Sequence, residues 1–223
     1  CCGSAAGSRP TSDRRSRASK VRVSAAPPVR PFEVTHRSVL AIALPMTLAY
    51  LTTPLVGVVN LGAVGQLGHP AMVGGVAIGA LIFDIAFLSF GFLRAGTTGL
   101  VAQADGAGDD RAVAATLYRA VILALGIGVV LLLLERPIIM AAQALIGGSD
   151  AVKAATHEYW RIRVLSAPLA LMNFAILGWL IGTGRAGYGL LLLVVLNGVN
   201  IALSLLFVHE LGLGVAGVGW ASV

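Results

Sequence analysis

From residue 39 onward charged residues are sparse, and they divide the chain into long apolar runs. A helix crossing the hydrocarbon core of a bilayer needs about 20 mostly apolar residues. Five runs meet or approach that requirement: 39–64, without a charge; 71–93, interrupted only by Asp84; 120–134; 164–183; and 189–208. The third is short, so Arg119 is expected to snorkel at one boundary while Glu135 and Arg136 mark the other. After His209 and Glu210, residues 211–223 begin another apolar run that is too short to cross, and it reads as a sixth span cut in mid-helix. The pattern predicts an all-α polytopic transmembrane helix bundle of five full spans plus a truncated sixth.

Composition supports this class. With 57% hydrophobic and 12% charged residues and a mean hydropathy of +0.87, the chain has too little polar surface to cover a soluble globule of its length. The formal charge of +6 does not indicate nucleic acid, because Arg9, Arg14, Arg15, Arg17, Lys20, Arg22, Arg30 and Arg37 supply half of the 16 Lys and Arg. The others punctuate apolar runs, which is a topology signal. Cys1 and Cys2 are the only cysteines. They can build neither a disulfide framework nor a four-ligand zinc site.

Residues 1–33 are rich in Ser, Arg, Ala and Pro, and read as a disordered basic tail ahead of a transmembrane unit at 34–223. The absence of an initial Met is most simply a partial reading frame. An Arg-rich, acid-poor leader is also the composition of an organellar transit peptide, which is the alternative to a bacterial inner-membrane location.

Lys and Arg in short loops set orientation. The tail, the stretch 94–119 and the turn at Arg185 carry positive charge, while the loops around His69 and Glu210 carry none. The N-terminus is therefore expected in the cytoplasm. The connection from Arg136 to Arg163 dissents with four positive residues, and residues 138–146 within it are apolar enough to lie along the interface.

Small residues indicate packing. Gly75 with Gly79 and Gly178 with Gly182 are G-x-x-x-G pairs, which let membrane helices approach closely. Pro45, Pro54 and Pro168 each remove a backbone donor and can bend their helices.

Polar residues within apolar runs are candidates for a substrate or ion pathway. Asp84 has no basic residue one turn away in the sequence, and reads either as a proton or cation site or as an acid bonded for packing. Asn197, Asn200 and Ser204 recur at i, i+3 and i+7, hence on one helix face. Asn60 and Ser204 lie at similar distances from the predicted outer ends of their spans, so neighbouring first and fifth spans would bring them to one outward-facing pocket; interhelical hydrogen bonding is the other reading. Asn173, between Met172 and Phe174, is either a substrate-orienting amide or a packing bond. Arg94, Thr97 and Thr98 read as an anchor and loop start, and Asp105, Asp109 and Asp110 as a solvated loop with a helix N-terminus. No Walker loop, catalytic constellation or metal-ligand spacing appears, so neither an enzyme nor a cofactor is expected.

Residues 92–108, FLRAGTTGLVAQADGAG, resemble the end of the second helix and the following loop of multidrug and toxic compound extrusion (MATE) exporters of the DinF-like branch. VVNLGAVGQLG at 58–68, IRVLSAPLALMNFAILGWLIGTGRAG at 162–187 and LNGVNIALSLLFVHELGLGVAGVGWASV at 196–223 resemble the same branch in order and spacing. The resemblance implies twelve helices in two six-helix lobes, exporting hydrophobic or cationic small molecules in exchange for protons or sodium. This chain would supply the first lobe, with lipid and a C-terminal lobe as its partners, and would not be expected to export alone. The branch commonly has aspartates where this chain has Asn60 and Ser204, and neither replacement titrates near neutrality. A non-transporting fragment and a lipid flippase-like protein are the alternatives; the near absence of Lys and Arg within the spans argues against the second.

Overall fold

The computed structural model describes residues 35–223, so the readings made for the tail at 1–33 lie outside the described residues. It is a bundle of helices. α1 (His36–Gly65) is continuous through Pro45 and Pro54. α2 (Pro70–Leu88) and α3 (Gly91–Gly106) form one column with a break at Ser89 and Phe90, and α4 (Asp110–Leu133) follows a short turn. α5 (Glu135–Ile146) is a separate short helix. α6 (Asp150–Arg163) and α7 (Ala167–Gly182) form another column through a 3₁₀ turn at Val164–Ser166. α8 (Ala186–Leu205) continues into a π-turn at Leu206–Glu210, and α9 (Gly214–Ala221) follows.

Five stretches are long and apolar enough to cross a membrane: Val39–Gly65, Pro70–Gly106, Asp110–Leu133, Asp150–Gly182 and Ala186–Glu210. The number matches the sequence expectation, but three bounds do not. The second column runs on to Gly106 instead of ending at residue 93, the third begins at Asp110 instead of 120, and the fourth begins at Asp150 instead of 164. What was expected to be a loop around Arg94, Thr97 and Thr98 is α3. Its low hydropathy is offset by internal satisfaction of its hydroxyls: Thr97 donates to the Leu93 carbonyl at 2.6 Å and Thr98 to the Arg94 carbonyl at 2.9 Å. Arg94 itself lies against the rings of Tyr50 and Phe174, 5.1 and 5.7 Å from their centroids.

The two G-x-x-x-G pairs are the contact surfaces of these columns. Gly75 and Gly79 of α2 face Ala155 and Tyr159 of α6, and Gly178 and Gly182 of α7 face α3. A Cβ at Gly182 would sit 2.8 Å from the Thr98 carbonyl oxygen, and one at Gly178 would sit 2.6 Å from that of Arg94. Backbone proximity is used directly: Thr98 also donates to the Gly178 carbonyl at 3.1 Å. Pro168 stands in the first turn of α7, where a missing N–H costs nothing, just after the 3₁₀ turn that interrupts the column.

The extension of the fourth column changes the electrostatic reading. Lys153, Arg161 and Arg163 belong to α6, inside a membrane-crossing stretch. Asp84 is thus not the lone charge within the spans, and the argument from absent cations against a flippase-like protein falls. α6 was unreadable as a span because it is amphipathic: Ala155, Thr156, Tyr159 and Trp160 are buried, while His157, Glu158 and Arg161 are exposed on the bundle.

Candidate functional site

α1 and α8 pack side by side, and α9 adjoins both. The polar stripe on α8 meets polar residues of α1 at two levels. At the lower one, Asn197 Nδ2 donates to Thr52 Oγ1 at 2.6 Å, and Thr52 in turn donates to the Ala49 carbonyl at 2.6 Å. At the upper one, Asn200 is the hub. Its Oδ1 accepts from Asn60 Nδ2 at 3.4 Å and from Ser204 Oγ at 3.5 Å, while its Nδ2 donates to Ser222 Oγ at 3.0 Å. Ser222 Oγ in turn donates to the Val218 carbonyl at 2.9 Å.

This node is partly enclosed by the bundle, with Asn200 and Ser222 half-buried. Asn60 is 6% exposed and Ser204 is fully buried. Both hydrogen bonds to Asn200 Oδ1 are long, and Asn60 Oδ1 is buried without a hydrogen-bond partner among the described residues. An unmet buried acceptor is costly, on the order of 1–3 kcal/mol. It also marks where a donor can be taken up. With amide and hydroxyl groups only, the node can bind and orient polar atoms but cannot itself release a proton near neutral pH.

Arg163 reaches the same neighbourhood from the other side. Its Nη1 donates to the Ser222 carbonyl at 2.8 Å, its guanidinium lies 4.4 Å from the Phe83 ring centroid, and its Nε is buried and unpartnered among the described residues. Asp84, next to Phe83, is exposed on the lobe surface and within electrostatic range of Arg163, as is Tyr159. Asp84 and Arg163 form no ion pair; the one ion pair among the described residues joins Arg136 and Glu135 at 3.9 Å.

The structure therefore brings Asn60, Asn200 and Ser204 together, places Asn197 one turn away on the same helix pair, and leaves Asp84 on a different face. Asn173, partly buried on α7, makes no hydrogen bond among the described residues and joins neither group. Thr52, Ser222 and Arg163 were not singled out from the sequence. Thr52 sits about two turns before Asn60 in the charge-free run 39–64 and could have been found by the same stripe logic; Ser222 and Arg163 meet the node only through tertiary packing. Among the described residues no group of three or more His, Cys, Asp or Glu is placed to hold a metal ion.

Comparison with known proteins agrees with this architecture. Residues 45–206 match the MatE family model. The chain is 43% identical to DNA damage-inducible protein F of Escherichia coli (strain K12) over 182 residues, covering 82% of the chain and 40% of that protein. It is 28% identical over 193 residues to the probable multidrug resistance protein NorM of Agrobacterium fabrum, covering 84% and 40% respectively. Among solved structures, an outward-facing multidrug resistance MATE family transporter of the MOP superfamily superposes with a TM-score of 0.77 at 25% identity, covering 83% of this chain and 41% of that one. A MOP superfamily transporter from Pyrococcus furiosus gives 0.76 with the same identity and the same coverages. The chain thus spans about 40% of the length of the curated relatives it matches. Five membrane-crossing stretches and these relatives make it an integral membrane protein. It belongs to the MatE family.

Proposed function

We propose that this chain is the first lobe of a secondary active exporter that moves hydrophobic or cationic small molecules out of the cell by antiport with protons or sodium. The observation that carries the reading is the node of Asn60, Asn200, Ser204 and Ser222, buried at Asn60 and Ser204 and half-buried at Asn200 and Ser222, which holds an unmet acceptor where three helices meet. Along the apolar α1 and α8, such a concentration of neutral polar groups is a place to orient a substrate or to carry water. The N-terminus lies in the cytoplasm in this reading, and the second lobe completes the pathway.

Coupling follows a different route from that of the DinF-like branch. Since Asn60 and Ser204 do not titrate, the coupling carboxylate is either Asp84 or a residue of the second lobe. The test is a chimera joining residues 35–223 to the remaining length of the E. coli relative, assayed for efflux of a cationic dye from efflux-deficient cells. The chimera is expected to lower dye retention, and replacing Asn60 and Asn200 together by Leu is expected to abolish that effect at equal membrane abundance. Undiminished efflux from the double variant would remove the node from the pathway.

One observation favours a second reading, a flippase-like lobe. His157, Glu158, Arg161 and Trp220 line a cleft of about 380 Å³ on the α6 face, where Arg161 can meet the phosphate of a lipid headgroup from the side of the bundle. Scrambling of a fluorescent phospholipid by reconstituted chimera, lost in Arg161→Gln, would favour it over drug export.

A further inference from the structure

Four membrane-crossing stretches begin or end around one cleft of about 290 Å³: α3 ends there, α4 begins there, α7 ends there and α8 begins there. Nothing in the transport reading uses it. Its wall carries two carboxylates, Asp105 and Asp110; two aromatic rings, Tyr118 and Trp179; and one cation, Arg185.

These groups are not consumed by one another. Arg185 forms no ion pair among the described residues and lies 5.7 Å from the Trp179 ring centroid instead. The cap of α4 is made by Asp109, which accepts from the Ala112 N–H at 2.9 Å, so Asp110 is free of that duty. Trp179 Nε1 is buried and lacks an acceptor among the described residues. The cleft therefore has three open requirements: an acceptor for an indole N–H, an anion for a guanidinium, and a cation for two carboxylates.

A ligand with both charges on one small headgroup meets all three at once. The position of the cleft at the ends of four spans is the depth of the lipid headgroups, where Tyr and Trp are favoured. Below it, Tyr118, Ile122 and Val129 of α4 are 69%, 70% and 50% exposed at helical spacing, a lane along which an acyl chain can lie.

We propose that this cleft holds a zwitterionic phospholipid whose headgroup ends in a primary ammonium, with the phosphate toward Arg185 and Trp179 and the ammonium toward Asp105 and Asp110. A primary ammonium offers three N–H donors to the two carboxylates, whereas a quaternary one offers none and relies on the rings. Two acids against one base disfavour a purely anionic headgroup.

The test uses the full 223-residue chain in detergent with equal amounts of phosphatidylethanolamine, phosphatidylcholine and phosphatidylglycerol, and reads retained lipid by native mass spectrometry. Phosphatidylethanolamine is expected to exceed phosphatidylglycerol by about fivefold, the effect of one modest charge contact. Asp105 and Asp110 are both exposed, so Asp105→Asn with Asp110→Asn preserves the fold and is expected to erase that preference. Equal retention of the three lipids by the unaltered chain, or a preference unchanged in the double variant, overturns the proposal. Soluble phosphoethanolamine at the same concentration is expected not to displace the lipid; complete displacement would reassign the cleft to a soluble ligand.

Discussion

Asn60 of α1 and Asn200 of α8, 140 residues apart in the chain, share a hydrogen bond of 3.4 Å that leaves the other oxygen of the pair, Asn60 Oδ1, without a partner. The bond is long and the geometry slack, so the pair contributes less than a short amide bond would. Asn200 is the more consequential member because it also serves Ser204 and Ser222. Asn200→Leu is expected to lower stability by about 2 kcal/mol. Asn173→Leu, which breaks no hydrogen bond among the described residues, is expected to be nearly neutral. Thermal unfolding in detergent reads both, and equal losses would contradict the node's structure.

Packing of α3 on α7 makes a sharper prediction about glycine. A side chain at Gly182 meets the Thr98 carbonyl and Val101, whereas one at Gly187 meets open space. Gly182→Val is therefore expected to destabilise the lobe by about 1–3 kcal/mol, the usual cost of overpacking. Gly187→Val is expected to leave the melting temperature within a degree or two, apart from lipid contact. A silent Gly182→Val would mean that the two helices are farther apart than described.

Topology is testable by labelling, and the structure decides where to put the probes. Gly68 and Gly108 mark the turns after α1 and α3, but their φ angles of 73° and 70° strain any cysteine placed there. Gln66 and Ala107 stand in the same turns with ordinary backbone geometry. With Cys1 and Cys2 changed to Ser, a membrane-impermeant maleimide is expected to reach Gln66→Cys from outside intact cells and Ala107→Cys only after lysis. Labelling of both from one side contradicts an α2–α3 column that crosses the bilayer.

How much of this was legible in the sequence depends on what each helix touches. Apolar runs such as those of α1 and α8 announce themselves by hydropathy, and the positions of these two agree with expectation to within a few residues, whereas α4 begins ten residues early through its polar first turns. α3 and α6 do not, because their neighbours are other helices. α3 replaces apolar bulk with Gly and Thr, and α6 hides Tyr159 and Trp160 behind a charged outer face. The same reason governs the site. Spacing alone aligned Asn197, Asn200 and Ser204, but Ser222 meets Asn200 across a chain reversal and Arg163 arrives from a helix read as a loop.

Asp84 and Arg163 offer a prediction about charge. Arg163 influences Asp84 without pairing with it, so removing either charge leaves the other uncompensated within a span. Asp84→Asn and Arg163→Gln are each expected to lower membrane abundance, and the double variant is expected to lose less than the sum of the two. In the chimera, Asp84→Asn is expected to flatten the pH dependence of efflux if Asp84 couples transport. An unchanged pH profile at normal efflux assigns coupling to the second lobe.

The breaks at Ser89–Phe90 and at Val164–Ser166 interrupt the two columns that run side by side. On one side of them α2 and α6 pack together with α9; on the other α3 and α7 pack together with α4. Each half keeps its own interdigitated interface, through Gly75 and Gly79 in one and Gly178 and Gly182 in the other. The lobe is thus mechanically a pair of tiles joined by two short seams, and a tilt of one tile on the other would be absorbed at the seams while both interfaces stay intact. The node around Asn200 ties α9, which belongs to the first tile, to α1 and α8, so such a tilt would bear on its long bonds.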